Sequence, residues 1–282
     1  MSGDPGLYGP SSVTWHLHAD PTMWIAGIRA LYFQALHPKA MRGVAQNSDF
    51  KRDATGRLVR TANFVGATTY ATLAEAERMA AGVRRLHASM RAYDPDLDRT
   101  YRLDEPDALL WVHCTLVDSF LGVVRRAGFS LTDAHADRYV REQRRNAAII
   151  GLSPDEAPGS VAELAAYFAE VRPHLQAIPE ALDTYEFLMR PPLPAVLAPA
   201  RDTVYRRLSH LAYSALPVWA HELYGKPAAA ENVTTRRLRA FRRLALVVPK
   251  AIRWRYPADY LPQAIERLGR HTTPSPAALG AV

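Results

Sequence analysis

The sequence predicts an all-α protein, and three observations lead there. Apolar residues recur at helical spacing through most of the chain, as in Trp24, Ile25, Ile28, Leu31, Tyr32 and Ala35. Hydroxyl residues followed three positions later by glutamate mark helix starts at Thr72/Glu75 and Ser160/Glu163. Alternation of apolar and polar residues is poor, and no Asn-Gly hairpin signal occurs. No internal repeat is visible.

The elements follow in order. Residues 1–12 are rich in Gly, Pro and Ser and read as a flexible lead; 13–260 read as one helical domain and 261–282 as a partly disordered tail. Pro21 suits the start of a helix running to Leu36, which His37-Pro38 interrupts, because a residue before proline avoids the helical region. Asp49 to Thr55 is polar and turn-like. Helices are expected over Arg57–Tyr70 and from Thr72 to about Met90, with a loop at Pro95, Asp96 and Asp98. A strongly apolar helix begins at Asp104 or Glu105 and stops before Gly128; a polar one runs from Ala134 to Ile150, opened by Thr132 and closed by Gly151. Pro191, Pro192 and Pro194 break the chain. Leu197–Trp219 reads as helical with a bend or end at Pro217, the segment after it stops at Tyr224-Gly225, and Thr234–Trp254 reads as one basic helix.

Composition bounds the function. The 282 residues carry a net charge of +7 and are 48% hydrophobic, enough for a sizeable core with room for a pocket. The positive charge is crowded between Arg236 and Arg255, which suits an anionic ligand, an acidic partner or a lipid surface as well as plain arginine-rich composition. Leu238, Phe241, Leu244, Ala245, Val248 and Ile252 form an apolar stripe on the same stretch, to be packed on the domain or laid on anionic lipid. No nucleic-acid motif accompanies the charge. The single cysteine, Cys114, excludes an internal disulfide framework and fits a reducing cytoplasm. No secretory leader and no run of about 18 apolar residues is seen.

Three groups of residues carry potential chemistry. His87 sits among Val83, Arg84, Met90 and Arg91 at helical spacings; a neutral imidazole on a packed helix suits iron, and flanking arginines suit haem propionates. The same spacing also suits a histidine without a ligand. Arg57, Arg60 and Thr61 share one helix face, a row of donors able to grip a carboxylate or face dioxygen, or else a solvated basic turn. His113 falls on the buried stripe of the Leu109–Val117 segment, as a ligand or as a core histidine that needs a hydrogen-bond partner. His16-x-His18 reads as scatter near a loose end. Glu142 with Glu156 or Asp137 lacks the E-x-x-H companion of a di-iron site, and no G-x-S-x-G elbow or phosphate loop is present.

Taken in order, His37-Pro38, Asn47-Ser48-Asp49-Phe50, Arg57-x-x-Arg60-Thr61, Leu86-His87-Ala88 with Arg91, the Asp107–His113 block and Glu142-x8-Gly151-Leu152 resemble the DUF2236 family, the catalytic domain of mpaB and latex-clearing (rubber oxygenase) proteins. The resemblance spans roughly residues 10–260. It implies a helical fold with a globin-like core and a haem-sized pocket, one haem b, and oxygenase chemistry on a small apolar substrate, isoprenoid or otherwise alkene-like. Carried over by position, His87 is the proximal iron ligand, with Arg84, Arg91 and His113 on the cofactor side and Arg57, Arg60 and Thr61 in the catalytic network. The latex-clearing branch has a lysine directly before the threonine; here that position is Arg60, whose guanidinium keeps its proton and cannot coordinate iron. The glutamate base of the rubber-cleaving branch has no match, with only Asp49 and Asp53 nearby, which argues against rubber cleavage itself. The alternatives are a haem carrier or sensor without turnover, and a haem-free helical protein at an anionic membrane surface.

Overall fold

The computed structural model describes residues 3–48, 54–191, 198–255 and 258–279. In chain order the helices are α1 (Val13–Leu17), α2 (Met23–Gln34), α3 (Pro38–Asn47), α4 (Ala54–Tyr70) and α5 (Leu73–Ser89); then come a two-stranded antiparallel hairpin, β1 (Arg91–Asp94) and β2 (Arg99–Arg102), and α6 (Pro106–Arg126), α7 (Asp133–Ile150), α8 (Val161–Val171) and α9 (Pro179–Met189). The rest comprises α10 (Ala198–Ala200), a π-turn at Arg201–Tyr205 leading into α11 (Arg206–Ser214), α12 (Val218–Tyr224), α13 (Glu231–Val247), α14 (Lys250–Arg253) and α15 (Tyr260–Leu268). The protein is a single, essentially all-α domain, as the sequence predicts.

The start and stop signals act as expected. The Thr72, Thr132 and Ser160 hydroxyls accept from the backbone N–H three residues on, opening α5, α7 and α8. Gly151 and Gly225 close α7 and α12 in the left-handed conformation, at φ 102° and 61°. His37-Pro38 ends one helix and at once begins another: the His37 ring accepts from the Ala40 N–H and Pro38 occupies the first helical position of α3.

The core centres on α6, packed against α2. Trp111 is fully buried, donates to the Gln34 carbonyl at 3.0 Å and meets Phe33 edge-on, while Phe33 stacks on Phe168 of α8 at 5.1 Å. Buried Arg29 is fully engaged, with Ser119, Asp118 and the Ala215 carbonyl as acceptors, so its desolvation is offset by three partners. By length and composition α6 could cross a membrane; 61% of its most apolar window is buried inside this domain.

Several expectations need correction. The stretch read as loop at Pro95–Asp98 is the turn of the β1–β2 hairpin, and non-glycine Asp98 takes φ 46° there. The basic helix expected over Thr234–Trp254 is two helices broken at Pro249, because proline lacks the N–H the ladder needs. Pro217 ends a helix outright and caps α12. The lead and tail make specific contacts: Asp4 accepts from Gly6 and Leu73, buried Tyr8 donates to Gln143, Trp15 donates to the Thr272 carbonyl, and the Ser275 N–H donates to His16. The turn expected at Asp49–Thr55 falls largely outside the described residues.

Candidate functional site

α4 and α5 are joined by only two residues, so α5 runs back along α4. Tyr260 of α15 ties the pair, its ring against Gly66 and its hydroxyl reaching the Met79 sulfur. The last turn of α5, carrying His87, therefore lies beside the first turns of α4, which carry Arg57, Arg60 and Thr61. The hairpin leaves α5 directly and is clamped to α3. Arg42, itself buried, pairs with buried Asp94 and with Asp96, and the Asn47 amide donates to the Arg91 carbonyl at 2.8 Å. The ends of α3 and α5 and the hairpin thus form one corner of the domain.

His87 is half-buried in that corner, and no described residue hydrogen-bonds its ring. Burial holds its pKa below the usual histidine value, opposed by the Asp104 carboxylate, so the imidazole is neutral at pH 7. Such a ring has a lone pair for a metal, and the Asp104 carboxylate that acts on it electrostatically is itself paired with Arg102. Arg60 and Thr61 are exposed on α4; the side chain of Arg57 lies outside the described residues.

The two flanking arginines are engaged elsewhere. Arg84 donates to the Ile149 carbonyl at the end of α7 and lies against Gly151; Arg91 donates to the Ala88 and Met90 carbonyls at the end of α5. Each satisfies carbonyls that a helix C-terminus leaves open, where positive charge is favoured by the macrodipole. His113 is buried in α6, its pKa pushed down to about 4 by burial, and no described residue hydrogen-bonds it. Apolar residues of α4 and α6 fall in separate clusters: Leu109 packs with Ala147 and Leu152, Tyr70 with Trp15 and Leu261, and Phe120 in the main core. Leu109 and Phe120 sit on one straight helix, roughly 16 Å apart at about 1.5 Å per residue. Two open depressions lie elsewhere, one lined by Glu231, Asn232 and Thr235, the other by Asp259, Pro262 and Gln263.

Sequence reasoning missed His18. It is half-buried, its two ring nitrogens engage the Thr69 hydroxyl at 2.9 Å and the Tyr139 hydroxyl at 3.0 Å, and desolvation pushes its pKa down to about 3. The His16-x-His18 pair is thus not scatter: His16 is buried in α1 and His18 is its C-cap. Glu142 is likewise engaged: its carboxylate accepts from the N–H groups of Val13 and Thr14 and from the Thr14 hydroxyl, an anion set on the N-terminus of α1. Among the described residues no cluster of three His, Cys, Asp or Glu side chains is arranged for a metal ion, so the di-iron idea has no support.

Fold and corner together define a single-domain helical protein with a neutral histidine at the junction of a helical hairpin and a small β-hairpin. The family model described as the catalytic domain of ER-bound oxygenase mpaB/B' and rubber oxygenase matches residues 15–249, and the chain belongs to that family. The family includes oxygenases, which supports an oxygenase role here. No curated protein and no solved structure matches the chain.

Proposed function

We propose that this chain is a haem b-dependent oxygenase that uses dioxygen to oxidise or cleave a small apolar, alkene-like substrate. The observation that carries the reading is His87: a half-buried imidazole whose pKa burial holds down, with no hydrogen bond from any described residue, and the residue for which the sequence resemblance implies the iron-ligand role. The donor chemistry fits a single-histidine haem site, and a haem supplies the redox chemistry of dioxygen when bound.

The chain's own residues would supply the surroundings. His87 would hold the iron, with the Arg102-paired Asp104 carboxylate adding negative charge in its surroundings. Arg60 stays protonated and so acts only as a donor and a positive charge; Thr61 adds a hydroxyl one residue on. Arg84 and Arg91 hold the ends of α7 and α5, and so keep the last turn of α5 in place.

The test is an absorption spectrum of freshly purified and of hemin-titrated protein. The wild type shows a Soret band and His87→Ala loses it, with an unchanged circular-dichroism spectrum. A colourless protein that takes up no hemin overturns the reading. Oxygen uptake with an alkene panel then separates turnover from simple haem carriage.

A further inference from the structure

The C-terminal end of α13 is unusual for a packed helix. Its first turns are held to the domain: Leu238 and Thr234 are buried, and Arg242 reaches buried Asp20 at 2.7 Å and lies over Phe129. From Arg243 onward almost every side chain points to solvent, and several are aliphatic. Val247 is 80% exposed, Leu244 73% and Ile252 63%, with Leu246 and Val248 also exposed. These five span the last turn of α13, its C-cap Val248 and α14, which begins after Pro249. The tip is held in place. Arg253 donates to the Val248 carbonyl at 2.8 Å, and half-buried Trp254 donates to the Ala19 carbonyl, anchoring α14 to the body.

The charge carried by this stretch of sequence has one sign, and Asp20 pairs with its Arg242. Between Asn232 and Ala258 the sequence holds eight Arg or Lys residues and no Asp or Glu. Arg236, Arg239 and Arg243 recur at helical spacing on the exposed side of α13 and lead into Val247, so cations form a collar directly behind the apolar turn. Long cationic side chains can then reach headgroups while the aliphatic turn enters the acyl boundary. A second copy of the chain is a poor occupant, because a self-complementary contact would set these arginines against their own equivalents.

We propose that the tip formed by the end of α13 and α14 docks the protein on an anionic lipid surface, with Leu244, Val247 and Ile252 inserted and Arg239 and Arg243 on the headgroups. This stands apart from the haem reading and survives its failure.

The experiment is sedimentation of the full chain with vesicles of phosphatidylcholine alone, or with 30 mol % phosphatidylglycerol, at 0.1 M and 0.5 M salt. The wild type binds the anionic vesicles at 0.1 M salt and is released at 0.5 M, where screening shortens the reach of the charges. Leu244→Ser with Val247→Ser and Ile252→Ser lowers the partition coefficient at least about tenfold, and Arg239→Gln and Arg243→Gln each lower it about fivefold. All these positions are exposed, so melting temperatures serve as the folding control. Absence of binding to anionic vesicles, or a triple variant that binds like wild type, overturns the proposal. So does a wild-type dimer in solution that the triple variant dissociates, which assigns the tip to self-association.

Discussion

Two desolvated histidines make the stability of this domain fall steeply in mild acid. His18 and His113 have folded pKa values pushed down to about 3 and about 4 by burial, against an ordinary value of 6.5 in an open chain. Both shifts are downward, so stability is complete above 6.5 and declines as pH falls from there toward the folded values. In that window the unfolded chain binds a proton at each ring and the folded chain binds none. Each ring therefore contributes a slope of about 1.4 kcal/mol per pH unit, or about 2.7 together. The perturbation that isolates one of them is His18→Gln, which keeps polar atoms for the Thr69 and Tyr139 hydroxyls but does not titrate in this range. Equilibrium urea unfolding between pH 6 and 4.5 gives the slope for each protein. The variant should be less stable at pH 7, because glutamine fits the site imperfectly, yet its stability should fall less steeply by about 1.4 kcal/mol per pH unit. Identical slopes would refute the argument, showing that the folded protein protonates this ring as freely as the unfolded chain does.

Two further perturbations test the packing around the candidate site and the entry to the fold. Arg42→Ala leaves the Asp94 carboxylate buried without its cation; it should cost about 3–5 kcal/mol in urea unfolding, with amide exchange accelerated first in the β1–β2 hairpin, and Arg42→Met combined with Asp94→Asn should recover part of the loss. Glu142→Gln turns an amide group toward backbone donors that need an acceptor; it should cost about 1–3 kcal/mol, read as a lower melting temperature, and a neutral outcome would show that the charge on α1 is dispensable.

What the sequence could and could not show divides along the range of the interactions. Helix ends are set by contacts three or four residues apart, so Thr72, Thr132, Ser160, Gly151 and Gly225 could be read directly. The hairpin escaped because its strands are four residues long, rich in charge and joined without glycine, while what secures them comes from α3 some forty to fifty residues upstream. His18 escaped for the same reason: its partners Thr69 and Tyr139 lie 51 and 121 residues away. For residues 243–252 the apolar stripe left packing or exposure open, and the chain buries it only as far as Leu238 and, partly, Phe241 and Ala245.

The candidate site shows where such reading stops. His87 could be singled out from its place in a motif, but a motif does not say which neighbouring cations are available to a ligand. Arg84 and Arg91 sit at the right spacing to flank an anionic cofactor, and both are drawn to helix C-termini, where open carbonyls and the macrodipole already attract a guanidinium. Arg84's claim comes from Ile149, 65 residues away, and no local pattern announces it. Proximity in sequence to a ligand histidine is therefore weak ground for an anion clamp whenever the arginine is within reach of a helix end. The better guide is where positive charge gathers without opposite charge to balance it. In this chain that place is the solvent face of α13, where an acid-free run of arginines ends in exposed aliphatic side chains, the pairing on which the lipid-docking proposal rests.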